Sequence, residues 1–130
     1  MWTLEYRPHL DAVESGMDAF LNWNKYFVGK EATERFKAEG PKQKLVTMTI
    51  DCEGIDVSND EAILNDGTVV GYSSSGGYGY RVGSSLAMGY VAAEHAGPGL
   101  NLQVEILGEM FEAKFLGGPL YDANGANMEA

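Results

Sequence analysis

Residues 100–116, LNLQVEILGEMFEAKFL, decide the fold class, because their apolar residues recur at every second position. The first half alternates apolar and polar side chains, with the apolar ones at Leu100, Leu102, Val104 and Ile106. We expect Gly108-Glu109 to turn the chain, after which Phe111, Ala113 and Phe115 lie inward and Glu112 and Lys114 outward. A period of two is that of a half-buried strand. The stretch therefore predicts an antiparallel β-hairpin.

Other parts of the chain carry the same signal. The stretches with strand patterns are residues 43–50, 61–73, 84–93 and 100–116. In the first of them, Val46, Met48 and Ile50 point to one side. In the second, Asn65-Asp66-Gly67 supplies residues that tolerate the positive φ of a tight turn. Gly97-Pro98-Gly99 turns the chain into the last hairpin. Five or six short antiparallel strands indicate a small barrel or a sandwich.

Two helices are predicted before the strands. In residues 11–23 the apolar side chains have helical spacing, at Val13, Met17, Phe20 and Leu21. Residues 30–39, KEATERFKAE, form the second helix, in which Lys30 and Glu34 can pair along the solvent side. Gly40-Pro41 ends this helix, because proline cannot continue it.

The composition limits the possible partners. Nine basic and nineteen acidic residues give a net charge of −10, which repels nucleic acid and anionic membranes. No apolar run approaches the ~18 residues that a membrane helix needs. The N-terminus lacks the apolar segment of an export signal. Cys52 is the single cysteine and fits a reducing compartment. We therefore expect a cytoplasmic protein that binds neither nucleic acid nor membranes.

The glycine-rich stretch Gly71–Gly83, GYSSSGGYGYRVG, is similar to two phosphate-binding motifs and fits neither. Gly77-Tyr78 stand where a P-loop needs lysine and a hydroxyl, and the glycine spacing is one residue too long for a dinucleotide fingerprint. The stretch is best interpreted as a long turn between two strands. Arg81 is the residue in it that could hold an anion such as a carboxylate.

Other reactive side chains form no recognisable motif. His9 and His95 lie far apart in sequence, and neither has further ligands at metal-binding spacing. Cys52 lies between Asp51 and Glu53, which disfavours a reactive thiolate. Four tyrosines surround the glycine-rich stretch: Tyr72, Tyr78, Tyr80 and Tyr90. They either pack on the sheet surface or form an aromatic wall for a flat heterocycle.

Longer motifs carry a family resemblance. Residues 67–91, GTVVGYSSSGGYGYRVGSSLAMGYV, and residues 97–122, which end in PLYD, resemble the C-terminal barrel of the glycine-cleavage T-protein (aminomethyltransferase) superfamily. The version fused to dimethylglycine and sarcosine dehydrogenases is the most similar. Upstream, ESGM at 14–17 and NKYFVGKEA at 24–32 resemble the same group. The resemblance covers residues 12–122.

The resemblance implies a mainly β fold, a small six-stranded antiparallel Greek-key barrel preceded by two short α-helices. The barrel domain would span residues 42–122 and be followed by a polar tail at 123–130. Residues 1–41 would be a helical remnant of the preceding folate-binding domain and its connection. In the family, the catalytic aspartate and most pterin contacts belong to two preceding domains, which we expect to be absent from this chain.

Two functions follow from these observations. In the first, the chain is the C-terminal domain of a tetrahydrofolate-dependent one-carbon transfer protein and helps to close its folate site. Its partners would be folate-binding domains of the same enzyme or of a partner subunit, and Arg81, Tyr80 and Tyr78 would be its cofactor-binding residues. This hypothesis predicts an uncovered apolar face within residues 1–40. In the second, the chain is a stand-alone, non-catalytic barrel module with a binding or scaffolding role. A small hydrolase has no positive signal.

Overall fold

Six antiparallel strands close into a barrel in the computed structural model, which describes residues 3–128. The strands are β1 (Gln43–Ile50), β2 (Ala62–Asn65), β3 (Thr68–Gly79), β4 (Ser84–Ala92), β5 (Leu102–Ile106) and β6 (Glu109–Leu116). Their order around the barrel is β1-β4-β3-β2-β5-β6. Strand β1 lies beside β4, the last of three consecutive hairpin-connected strands, which is a Greek-key arrangement. The mainly β, six-stranded barrel expected from the sequence is confirmed.

The core of the barrel is formed by the alternating apolar positions. Its buried members are Val46, Met48, Ile50, Val57, Ile63, Ala87, Val91, Leu102, Val104, Ile106 and Ala113. Phe111 and Phe115 pack against this cluster and are partly buried. The inward faces predicted for β1, β5 and β6 are therefore confirmed. Within the described residues, no helix is long and apolar enough to cross a membrane.

Two tight turns connect the strands of two hairpins, β2–β3 and β5–β6. Asp66 and Gly67 have φ values of 47° and 77°, as the sequence predicted for this turn. The second turn is formed by Leu107 and Gly108, with φ values of 51° and 85°. It lies one residue before the predicted Gly108-Glu109, because both central residues of this turn type need positive φ. Leu107 accepts this conformation at the barrel surface, where its side chain is exposed.

One of the two predicted helices is wrong. Within residues 11–23 only Met17–Phe20 forms a 3₁₀ turn. Gly16 has a φ of 70°, and the Asp11 carboxylate accepts hydrogen bonds from the backbone N–H groups of Val13 and Glu14, at 2.7 and 2.8 Å. These local bonds compete with a helix. The apolar spacing alone could not reveal that competition.

The second helix, α1 (Lys30–Glu39), is confirmed with its predicted bounds. The predicted ion pair is present, with Lys30 Nζ and Glu34 Oε1 3.6 Å apart. None of the residues of α1 is buried. Lys37 holds the helix to the preceding segment through an ion pair with Asp18 at 3.1 Å and by lying over the Trp23 ring. The helix is therefore attached beside the barrel rather than packed into its core.

The glycine-rich stretch is a strand, which corrects its interpretation as a long turn. Strand β3 continues to Gly79, and the turn into β4 is confined to residues 80–83. The register of β3 against β4 shifts between Ser73 and Ser75, which marks a β-bulge. A bulge bends the strand and re-aims its side chains. The serine triplet therefore lies within a curved part of the barrel wall.

Three glycines in β3 and β4 allow backbone segments to approach closely. A methyl group at Gly71 would lie 2.0 Å from the carbonyl oxygen of Tyr90. One at Gly89 would lie 2.6 Å from the Tyr72 carbonyl oxygen, and one at Gly76 would lie 2.5 Å from that of Val57. No side-chain rearrangement can relieve a contact with backbone. Glycine at these positions is therefore a packing requirement of the curved sheet.

Residues 3–15, which we call the N-terminal strap, contact the outer face of β3 and β4. Glu5 is buried, and the hydroxyls of Ser74 and Ser75 both donate hydrogen bonds to its Oε1. The Tyr90 hydroxyl donates to the Glu5 carbonyl oxygen at 2.6 Å. Because the bulge lies at this point, two consecutive serines reach one carboxylate. The serine triplet thus fixes the strap to the barrel.

A second set of contacts holds the other part of the strap. Arg7 donates to Asp60 Oδ1 at 2.8 Å and lies 5.2 Å from the centre of the Tyr72 ring. The Tyr72 and Tyr90 rings stack with centroids 6.0 Å apart. Further along, the backbone N–H of Leu45 donates to the Glu14 carbonyl oxygen at 2.9 Å. The strap is therefore attached to three separate parts of the barrel domain.

Burial under the strap changes the acidity of the stacked tyrosines. Burial raises the pKa of the Tyr90 phenol well above its ordinary value, and the neighbouring Tyr72 adds to the effect. Burial also raises the pKa of Tyr72, against an opposing influence from the Arg7 charge. Both phenols are therefore held in the neutral form in the folded protein.

The first prediction concerns the close approach of β3 and β4. Gly71→Ala should lower the free energy of unfolding by about 3 kcal/mol or more, because its methyl group meets backbone that cannot move aside. Gly77→Ala is the matched control on the same strand, since nothing lies within 4 Å of a methyl group there. Urea unfolding followed by circular dichroism measures both. Equal losses in the two variants would show that the close approach does not constrain the barrel.

The second prediction concerns the dependence of stability on pH. An unfolded tyrosine loses its proton near pH 10. The pKa of Tyr90 is higher in the folded protein than in the unfolded chain. Its neutral phenol therefore contributes to the free energy of unfolding, and this contribution is fully present below pH ~10 and is lost as the pH rises further. Tyr90→Phe should make the decline in unfolding free energy above pH ~10 shallower, with the exposed Tyr26→Phe as control. If both variants follow the wild-type decline, Tyr90 does not carry the effect.

Candidate functional site

Two adjoining cavities lie at the end of the barrel where β1 ends and β4 begins. Their volumes are about 560 and 350 Å³. The two cavities have four lining residues in common, which are Cys52, Glu53, Tyr78 and Ser85. We call the two cavities together the mouth groove. Its size is that of a small-molecule site.

The strand register explains how these residues meet. Ser85 lies opposite Tyr78 on β3 and opposite Ile50 on β1. Asp51 continues the pairing of β1 with β6, because its backbone N–H donates to the Glu112 carbonyl oxygen at 2.9 Å. The chain then leaves the sheet, and the Cys52 thiol donates to the Ile55 carbonyl oxygen at 3.3 Å. The loop of residues 51–56 therefore lies between the two cavities.

The charges of the mouth groove are predominantly negative. The larger cavity is lined by Asp51, Glu53 and Glu112, with Lys114 as its one basic residue. Glu112 also accepts a hydrogen bond from Gln103 at 2.7 Å. Acidic residues, a tyrosine and a serine therefore line one space. These groups suit the binding of a polar ligand more than that of an apolar one.

The three residues predicted from the sequence divide between two places. Tyr78 lines the mouth groove, and its ring meets that of Tyr80 edge to face, with centroids 5.0 Å apart. Tyr80 is 89% exposed in the turn between β3 and β4. Arg81 instead contacts Tyr121, whose hydroxyl lies 3.3 Å from its Nη1 and whose ring centre lies 5.4 Å from its guanidinium carbon. The turn and the PLYD segment at residues 119–122 therefore form one surface.

Sequence reasoning missed Ser85 and Glu53, because a serine in a strand and an acid in a loop carry no motif. The one signal for Ser85 is its position, because it is the second residue of β4 and lies directly opposite Tyr78. The strand register was needed to bring these residues together with the loop.

The remaining candidates lie elsewhere. His9 lines a cavity of about 570 Å³ between the strap and α1, which Phe36 also lines. His95 lies 3.4 Å from the Asn65 amide nitrogen and 3.6 Å from the Glu94 carboxylate. Asn65 Oδ1 is buried and has no hydrogen-bond partner. Within residues 3–128, no three or more His, Cys, Asp and Glu side chains are grouped so that they could hold a metal ion.

Comparisons with known proteins agree with this architecture. A family model described as "Glycine cleavage T-protein C-terminal barrel domain" matches residues 43–122. "Dimethylglycine dehydrogenase, mitochondrial" from Homo sapiens is 36% identical over 121 residues, which are 92% of this chain and 14% of the human protein. "Probable aminomethyltransferase" from Thermococcus gammatolerans is 32% identical over 110 residues, or 85% of this chain and 27% of that protein.

A solved structure has the same fold. The glycine cleavage system aminomethyltransferase T from Bartonella henselae superposes with a TM-score of 0.78 at 19% sequence identity. The match covers 86% of this chain and 32% of the Bartonella chain. This chain thus spans less than half the length of each of these similar proteins.

Proposed function

Since the chain belongs to the family of glycine cleavage T-protein C-terminal barrel domains, we propose that it serves a tetrahydrofolate-dependent one-carbon transfer protein. That protein would be of the aminomethyltransferase or dimethylglycine dehydrogenase type, and the barrel would help to close its folate site. The observation that carries the proposal is the extent of the family match, which runs from the start of β1 through the whole barrel to Asp122.

The surface formed by the β3–β4 turn and Tyr121 supports this role. Tyr78 and Tyr80 present exposed rings against which a flat pterin or aminobenzoyl ring can pack. The Arg81 guanidinium contacts the Tyr121 ring, and no carboxylate among residues 3–128 pairs with it. A free guanidinium suits the carboxylates of the folate tail. We therefore propose Arg81, Tyr80 and Tyr78 as its folate contacts.

Exposed apolar side chains within residues 17–28 support the first hypothesis, which expects an uncovered apolar face in this region. Phe20, Tyr26 and Val28 are 81%, 80% and 94% exposed. The neighbouring helix α1 also buries none of its residues. Several large apolar side chains exposed within nine residues of sequence favour an interaction surface. These exposed side chains support the proposal that a folate-binding domain, of the same enzyme or of a partner subunit, covers this segment.

A stand-alone barrel module with a binding or scaffolding role is the second candidate. Its support is the strap, because the buried Glu5 and its bonds to Ser74 and Ser75 make the barrel's outer face self-contained. The proposed cytoplasmic location rests on the single cysteine. It stays a prediction, because dimethylglycine dehydrogenases similar to this chain are mitochondrial.

The third prediction tests the folate role. We would replace the matching region of the Thermococcus gammatolerans relative with this chain and titrate tetrahydrofolate by fluorescence. Arg81→Gln should raise the dissociation constant of tetrahydrofolate about fivefold, because it removes the proposed ion pair between Arg81 and a carboxylate of the folate tail. Arg35→Gln on α1 removes the same charge away from the turn and should leave the constant unchanged.

Two outcomes would contradict the proposal. One is equal folate affinity in the Arg81 and Arg35 variants, which would remove the turn from the folate site. The other is one-carbon transferase activity in the isolated chain, which the proposal assigns to the preceding domains. Tight folate binding to the isolated chain would favour the stand-alone module.

A further inference from the structure

We propose that the mouth groove binds a small organic cation, an ammonium compound that also carries a hydrogen-bonding group. This proposal does not depend on the folate role, because it concerns the groove between the 51–56 loop and the barrel end. The folate role instead concerns the exposed turn with Arg81. The two surfaces share only the Tyr78 ring.

Ser85 is the first observation that points to a ligand. Its side chain takes the inward position of β4, where Ala87 and Val91 are apolar and buried. Ser85 is only 5% exposed, and its hydroxyl has no hydrogen-bond partner among residues 3–128. It lines both cavities of the groove. The Ser85 hydroxyl oxygen keeps some contact with solvent at the groove, so a polar group that enters the groove can replace water as its partner.

The charges around Ser85 select a cation. Glu53 lines both cavities, Asp51 and Glu112 line the larger one, and Asp56 lines the smaller one. Lys114 offsets one of these four carboxylates. The resulting field attracts a positive group and repels an anion. The anionic tail of folate is therefore a poor fit for this groove.

The Tyr78 ring favours an organic cation over a metal ion. Tyr78 is partly exposed and faces both cavities. An ammonium group can lie over a phenol ring while a carboxylate lies on its other side. No set of three or more metal-ligating side chains occurs here or elsewhere in residues 3–128. The combination of a ring, carboxylates and a hydroxyl is the chemistry that recognises a substituted ammonium compound.

The test compares two probes of nearly the same shape. Choline carries the positive charge and a hydroxyl, whereas 3,3-dimethyl-1-butanol keeps the hydroxyl and the branched head without the charge. Each is titrated into the 130-residue chain while backbone amide signals are followed by NMR. Choline should shift the signals of residues 52, 53, 78 and 85 with a dissociation constant in the millimolar range, near −4 kcal/mol. The neutral analogue should bind at least about fivefold more weakly.

Variants assign the effect to the groove. Ser85→Ala should keep the fold, because its hydroxyl has no partner to lose, and should raise the dissociation constant of choline about threefold to tenfold. Glu53→Gln and Tyr78→Ala should each raise it about twofold to fivefold. Glu31→Gln and Tyr26→Ala are the matched controls, as an exposed acid and an exposed tyrosine outside the groove. Both controls should bind choline like the wild type.

Three results would overturn the proposal. They are equal affinity for choline and its neutral analogue, shifts that the Ser85, Glu53 and Tyr78 variants leave unchanged, and no saturable shift at probe concentrations up to about 20 mM. Failure of the folate titration in the chimeric protein leaves these readouts untouched, because they use this chain alone.

Discussion

The close approach of β3 and β4 is the constraint on which the rest of the structure depends. Gly71 and Gly89 let two backbones meet at distances that no other residue permits. Because the two strands curve around each other here, the sheet can close with only six strands. The closed barrel brings Ser85 opposite Tyr78 and the turn at 80–83 next to Tyr121. Both candidate binding surfaces are therefore consequences of strand curvature.

The bulge in β3 connects the barrel to the segment before it. Ser74 and Ser75 can reach Glu5 together because the register shifts beside them. The strap then buries Tyr90, which gives the outer face of β4 a second layer. In contrast, Phe20, Tyr26 and Val28 keep their side chains in solvent. The N-terminal region thus consists of a strap that is bound to the barrel wall and a segment that keeps several large side chains exposed.

The sequence predicted the strands that alternate cleanly, because burial on one face imposes a period of two. Val46, Met48 and Ile50 show this pattern, and all are buried. The sequence cannot distinguish a glycine that turns the chain from one that another backbone approaches, so the pattern of Gly71–Gly83 indicates a turn where strand β3 in fact continues to Gly79. It also could not show that Asp11 would compete with a helix, since that depends on local hydrogen bonds.

The sequence indicates less about the candidate sites than about the fold. Arg81, Tyr80 and Tyr78 could be selected because they stand out in a glycine-rich context, but their distribution over two surfaces required the barrel geometry. Ser85 could not be selected, because its place in the proposed groove depends on its pairing opposite Tyr78. Long-range register determines such a property, and no local pattern records it.

The central claim is that this barrel closes a folate site against domains that lie outside this chain. Amide hydrogen exchange tests it most directly, in this chain alone and in the chain joined to the folate-binding domains of a relative. The account predicts slower exchange at residues 20–28 and 78–83 only in the joined protein, with further slowing at 78–83 when tetrahydrofolate is added. Identical exchange at both segments in the two proteins would contradict it.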